Sequence, residues 1–195
     1  MSQYILIASH IFLCIFPISR KFSLYTGLLI VMLFVEDILV NTDFFSMNNI
    51  LLSIGGYFIT IMYMHIYSVI YSFRSLSKAM FVKLTLNFIE YALIFAEEII
   101  WRGYIQYLVL KFFYVSISTK SIIDGICIIL ISLFFTISHN MNAETKQKIE
   151  LFIFSCLLGF IYYYTNNIIL VVVCHISRNN YIKNILLSNG ESQNE

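Results

Sequence analysis

The sequence predicts an all-α fold, a polytopic bundle of transmembrane helices with about seven spans. The chain has 195 residues, of which 59% are hydrophobic and 12% are charged, and its mean hydropathy is +0.82. Soluble domains carry about 25% charged residues, so this chain lacks the polar groups needed to cover its surface in water. Its apolar runs have the length of helical spans, about 17–25 residues. We therefore expect an integral membrane protein.

Seven apolar runs follow one another along the chain. They are Tyr4–Ile18, Phe22–Val40, Leu51–Tyr71, Leu84–Leu110, Ser121–Ser138, Ile149–Tyr164 and Ile168–Leu187. The first run is short for a complete span. Gly55 and Gly56 lie in the third run, where small residues allow helices to approach closely. Thr165-Asn166-Asn167 predicts a tight turn between the sixth and seventh runs.

These runs divide into N-terminal helices over residues 1–83 and a core over residues 84–187, followed by a polar tail over residues 188–195 that we expect to be disordered. Lysine and arginine are concentrated on alternate loops, which predicts an N-terminus outside the cell and a C-terminus in the cytoplasm. The net charge of +1 gives no electrostatic basis for nucleic-acid binding. The lipid bilayer is therefore the expected surrounding partner.

The fourth run carries Glu97, Glu98 and Arg102 in its middle. A charge inside hydrocarbon costs from about 2.5 to more than 10 kcal/mol, so these groups indicate a functional site sheltered by protein. Residues four apart share a helix face, which predicts that Glu98 pairs with Arg102. Glu97 points to another side of the helix and is left for a different role. The polar side of this helix is extended by Asn87, Glu90 and Gln106.

Two other runs carry polar residues at helical spacing. His139 follows the fifth run, one turn after Phe135, and the seventh run places His175 and Asn179 four residues apart. Because polar groups in lipid need partners, we expect the fourth, fifth and seventh runs to meet around a buried site. A desolvated Glu97 with His139 suits the deprotonation of water. His175 and Asn179 suit hydrogen bonding to an oxyanion, so the set fits peptide-bond hydrolysis.

The polar residues form three motifs, which occur along the chain in the order Glu97-Glu98-x-x-x-Arg102, Phe135-x-x-x-His139 and His175-x-x-x-Asn179. These motifs resemble the signatures of the CAAX protease and bacteriocin-processing (CPBP, or Abi) family of intramembrane proteases. That family includes the type II CAAX prenyl endopeptidase. The resemblance covers about Leu84 to Leu187. It implies an all-helical membrane bundle with the active site buried among the fourth, fifth and seventh helices. In that bundle, Glu98 and Arg102 would support the site structurally.

The same resemblance implies a role for each remaining residue of the motifs. Glu97 would be the general base that activates water, with assistance from His139. His175 and Asn179 would form the oxyanion hole, and no cofactor would be needed. The abundance of Ile, Phe, Tyr, Asn and Lys indicates an AT-rich genome and hence a bacterial cell membrane. The expected substrate is then a peptide or membrane-anchored precursor, such as a bacteriocin or signalling peptide, or one involved in self-immunity.

Alternative interpretations remain at this level. Glu97, His139 and His175 have the residue types of a zinc site, although they come from three helices without a local HExxH motif. The polar set could also hold helices together in a non-enzymatic immunity or scaffold protein. A third alternative is a partner in lipoprotein modification.

Overall fold

The structure is a computed structural model that describes residues 46–70, 84–112, 120–139 and 145–191. Within these ranges the chain forms α1 (Met47–Ile70), α2 (Phe88–Glu98), a π-helix (Ile99–Gln106), α3 (Tyr107–Phe112), α4 (Lys120–His139), α5 (Thr145–Thr165) and α6 (Ile168–Glu191). No strand occurs among the described residues, so they confirm the all-α class. The first two predicted apolar runs lie outside these residues.

The fourth apolar run begins its helix later than predicted. Asn87 accepts a hydrogen bond from the Glu90 backbone N–H (2.9 Å), and the Glu90 carboxylate accepts one from the Asn87 N–H (2.6 Å). This reciprocal pair is a capping box, which satisfies backbone donors at a helix start. Asn87 and Glu90 therefore cap α2 at its exposed N-terminus, whereas Gln106 is buried as the sequence predicts.

Several other boundaries differ from the sequence prediction. Helix α1 begins at Met47, four residues before the predicted Leu51. Helix α5 begins at Thr145, four residues before the predicted Ile149. Helix α6 continues to Glu191 rather than ending at Leu187, so the first half of the tail predicted to be disordered is helical. Helices α5 and α6 include these polar residues because backbone hydrogen bonding continues past the point where the apolar pattern stops.

Apolar and polar side chains are distributed as expected for helices that face lipid. Large apolar side chains are exposed on α1 and α4, including Met62, Val69, Phe134 and Ile137, while Arg102 is fully buried. Within the described residues, two helices are long and apolar enough to cross a membrane, over Met47–Val69 and Thr145–Thr165, and a shorter apolar helix covers Ile122–Ser138. In water such exposed apolar surface would promote aggregation, whereas in a bilayer it contacts the hydrocarbon chains of the lipids.

The chain forms two compact units. In the first, the described part covers residues 95–112, 120–139 and 145–168. Its core is formed by Ile100, Trp101, Ile105, Ile131, Phe135 and Leu151. The hydroxyl of Tyr163 on α5 donates to the buried Asp124 on α4 at 2.8 Å. The predicted turn after α5 is confirmed, with Asn166 in the left-handed region (φ 47°), which asparagine tolerates better than most residues.

The second unit is described over residues 46–70, 84–94 and 169–191. Gly56 allows α1 to approach α6, since a Cβ at that position would collide with Leu170 and lie 2.9 Å from the Cys174 sulfur. A Cβ on Gly55 would meet nothing within 4 Å. The Asn180 side chain accepts hydrogen bonds from the Thr85 N–H (2.8 Å) and the Leu86 N–H (3.2 Å). These contacts tie the segment before α2 to α6.

Candidate active site

The predicted pair between Glu98 and Arg102 is present in the structure. The Arg102 Nε lies 3.7 Å from the Glu98 carboxylate, and neither side chain has exposed surface. A buried charge without a counter-charge would be strongly destabilising, so each residue makes the burial of the other possible. The pair accounts for two of the three charges in the middle of the fourth run.

Arg102 also connects its helix to two others within the first unit. Its Nη2 donates to the Ser155 hydroxyl on α5 at 2.8 Å and to the Ser155 carbonyl at 3.3 Å. Its guanidinium lies over the Phe135 ring on α4, 5.0 Å from the centroid. Trp101 packs edge-on against the same ring at 5.4 Å. The first two sequence motifs are therefore joined by direct contacts of Arg102 and Trp101 with Phe135.

The backbone changes form inside the first motif. Glu97 and Glu98 end α2, and the π-helix begins at the next residue and contains Arg102. The sequence pattern predicts a regular α-helix here, because a segment of 8 residues is too short for its apolar spacing to separate the two helix types. π-helical turns are rare and occur frequently at functional sites. Glu97 is partly buried beside the fully buried Glu98.

His139 is the last residue of α4, one turn after Phe135. Its side chain lies outside the described part of the structure, so its contacts remain predictions. The neighbouring Ser138 hydroxyl donates to the Phe135 carbonyl at 2.8 Å within the same helix. This local bond engages the Ser138 proton in backbone pairing.

The third motif lies on α6 in the second unit. His175 is buried, and Asn179 is half-buried. Arg178 Nη1 donates to the Asn179 Oδ1 at 3.0 Å. Since a guanidinium only donates hydrogen bonds, this contact fixes which end of the amide is the oxygen and leaves Nδ2 as the donor of that side chain. Ser177 donates to the Val173 carbonyl at 2.6 Å, again within its own helix.

The structure thus assigns the predicted site residues to two groups. Glu97, Glu98, Arg102 and the backbone of His139 belong to the first unit, and His175 and Asn179 belong to the second. No three histidine, cysteine, aspartate or glutamate side chains are grouped to hold a metal among the side chains described. The zinc alternative includes His139, whose side chain is outside that set, and is left to experiment.

Sequence reasoning did not identify Ser155 or Arg178 as partners of the motif residues. Ser155 was detectable only as a hydroxyl in an apolar run, four residues before Gly159. Nothing in that run indicates which helix it contacts. Arg178 is adjacent to Asn179 in the sequence, but the contact depends on side-chain conformation rather than on helical spacing.

Buried charges, exposed apolar side chains and the contact between the first two motifs define a helical membrane protein with polar groups buried among its helices. A family model described as "Type II CAAX prenyl endopeptidase Rce1-like" matches residues 84–181, about half of the chain, and includes all three motifs. No curated protein and no solved structure matched the sequence. The chain belongs to this family, which confirms the resemblance drawn from the motifs. It is a membrane peptidase that hydrolyses peptide bonds.

Proposed function

We propose that the protein is a glutamate-type intramembrane endopeptidase in which Glu97 activates the attacking water. The observation that carries this proposal is the fully buried network of Glu98, Arg102 and Ser155 directly beside Glu97. Glu98 is paired with Arg102 of the adjoining π-helix, so its charge is compensated one turn further along the chain. We assign the proton transfer to Glu97, the carboxylate next to this network.

The proposed reaction uses the four motif residues in one cycle. Glu97, assisted by His139, takes a proton from water as the water oxygen bonds to the substrate carbonyl carbon. The carbonyl electrons move to oxygen, where hydrogen bonds from His175 and the Asn179 Nδ2 stabilise the oxyanion. As the oxyanion collapses, the C–N bond breaks and Glu97 returns the proton to the leaving amine. One water is consumed, and a carboxylate and an amine are formed.

The proposed substrate is a peptide or a membrane-anchored precursor, with bacteriocin processing, signal-peptide processing or self-immunity as its biological setting. A reaction within the bilayer is supported by the exposed apolar side chains of α1 and α4, which suit contact with lipid. The charged groups Glu98 and Arg102 are buried within the protein. We propose that the protein lies in a bacterial cell membrane and crosses it about seven times, with an external N-terminus and a cytoplasmic C-terminus.

The test compares wild type with Glu97→Gln and Glu98→Gln in the native host, using intact-mass profiling of secreted and membrane-anchored peptides. Glu97→Gln keeps the side-chain shape but removes the base, so the rate of a specific processing event is expected to fall by about 10²–10⁴-fold. The variant protein is expected to accumulate normally. Immunoblotting of membranes measures that amount.

Glu98→Gln is the matched control, since it makes the same change at the neighbouring residue. It leaves the Arg102 charge buried without its partner, a defect of about 3–5 kcal/mol, so it is expected mainly to lower the amount of protein. If Glu97→Gln leaves every peptide and any immunity phenotype unchanged, the catalytic assignment is wrong.

A further inference from the structure

Helix α5 contains none of the three motifs, yet the polar side chains of the π-helix donate hydrogen bonds to it. Arg102 donates to Ser155 at 2.8 Å, and the Gln106 side-chain amide donates to the Gly159 carbonyl at 2.9 Å. Arg102, Gln106 and Ser155 are all buried, with at most 1% of their surface exposed. These two hydrogen-bonded pairs form a polar contact strip within the first unit.

The two pairs share one register. Arg102 and Gln106 are four residues apart, as are Ser155 and Gly159, so the π-helix and α5 advance in the same direction along the strip. The absence of a side chain at Gly159 permits this approach. A Cβ there would lie 2.6 Å from Ile128 and 3.2 Å from the Gln106 side-chain oxygen. A slip of either helix by one residue would break both hydrogen bonds.

Ser155 is the member of the strip that determines how the guanidinium is held. Its hydroxyl and its carbonyl accept from the same Arg102 nitrogen, Nη2, while the Nε side of the group faces Glu98. The guanidinium is planar, so fixing Nη2 also fixes the direction in which Nε points. Removing the hydroxyl would free Arg102 to tilt, and Glu98 would move with it.

We propose that Ser155 is a positioning residue of the peptidase site, acting through Arg102 and Glu98 to hold Glu97 in its productive place. This inference rests on the proposed function, because it assigns Glu97 the role of base. It goes beyond that function by giving α5 a part in catalysis. A misplacement of about 1 Å in an active site is sufficient to lower a rate by about 10²-fold.

The test measures kcat and KM for purified, liposome-reconstituted Ser155→Ala and Ser155→Thr. The probe is the precursor whose processing is lost in the Glu97→Gln strain. Ser155→Ala is expected to lower kcat by about 10²-fold with KM unchanged, and Ser155→Thr, which keeps a hydroxyl, is expected to restore most of it. A purely structural role would lower the amount of folded protein but not the kcat of the molecules that remain.

Ser132→Ala is the matched control. Ser132 is also buried in the same unit, but it belongs neither to the motifs nor to the described residues that contact Arg102, so its replacement is expected to leave kcat unchanged. If Ser155→Ala does not accumulate, Ser155→Cys takes its place, since a thiol fills similar space and accepts hydrogen bonds weakly.

Wild-type kcat in Ser155→Ala or its cysteine replacement, together with an inactive Glu97→Gln enzyme, overturns the role of Ser155 and leaves the proposed function standing. An active Glu97→Gln enzyme overturns both proposals. A loss of kcat in Ser155→Ala that is restored by Ser155→Thr and absent from Ser132→Ala supports the positioning role.

Discussion

The burial of Arg102 organises the first half of the site at the level of single residues. Its guanidinium contacts a carboxylate, a hydroxyl, a backbone carbonyl and an aromatic ring, all within one unit. These contacts offset part of the cost of removing the guanidinium from water, although its Nε and Nη1 atoms are buried without a hydrogen-bond partner among the described residues. Glu97 differs from Glu98 because it is only partly buried and lies on another side of the helix.

The amide of Asn179 gives a prediction about the oxyanion hole. Asn179→Asp replaces the Nδ2 donor with an acceptor while keeping an oxygen for Arg178. Loss of one oxyanion donor lowers kcat by about 10²–10³-fold, and we expect that loss here. The measurement is the rate of precursor cleavage per molecule of reconstituted enzyme. An Asn179→Asp enzyme with normal kcat would exclude the donor role.

The serines beside the two histidines give a second prediction at this scale. The hydroxyls of Ser138 and Ser177 donate to carbonyls of their own helices, so neither is expected to act as a nucleophile. Ser138→Ala and Ser177→Ala are therefore expected to keep wild-type cleavage rates in the same assay. Complete loss of activity in either variant would indicate a serine mechanism in place of activated water.

At the level of elements, close approach between helices depends on small residues at particular positions. Gly56→Ala would force its methyl into Leu170 and Cys174, and overpacking of this kind costs about 1–3 kcal/mol. Gly55→Ala is the matched control because its methyl meets nothing within 4 Å. We expect Gly56→Ala alone to lower the thermal unfolding midpoint in detergent. Equal midpoints for the two variants would contradict the packing of α1 on α6.

The helices also show which features a sequence can predict. The Glu98–Arg102 pair follows from helical spacing, and the turn at Asn166 follows from its polar residues, so both were predictable. Ser155 was not, because its contact with Arg102 depends on how α5 packs on the π-helix. The π-helix is too short, at 8 residues, for its period to be visible in the sequence, and the capping role of Asn87 depends on where the helix begins.

At the level of the whole molecule, exposed apolar side chains and buried charged groups among the described residues are consistent with function inside a bilayer. Composition alone predicted this class, because 12% charged residues are too few for a soluble surface. The three motifs then predicted the family, which the match over residues 84–181 confirms. The substrate was not predictable, since the motifs specify chemistry at the scissile bond rather than the sequence around it.

The most direct test of the central claim is a single-turnover cleavage in H₂¹⁸O by reconstituted wild-type enzyme, with the precursor identified from the Glu97→Gln comparison. Direct attack by water activated by Glu97 predicts one ¹⁸O in the new C-terminal carboxylate of the product in the first turnover. The enzyme peptide that contains Glu97 should carry no label. An unlabelled first-turnover product, or ¹⁸O in that enzyme peptide, would show that the carboxylate attacks the substrate covalently and would contradict the proposed mechanism.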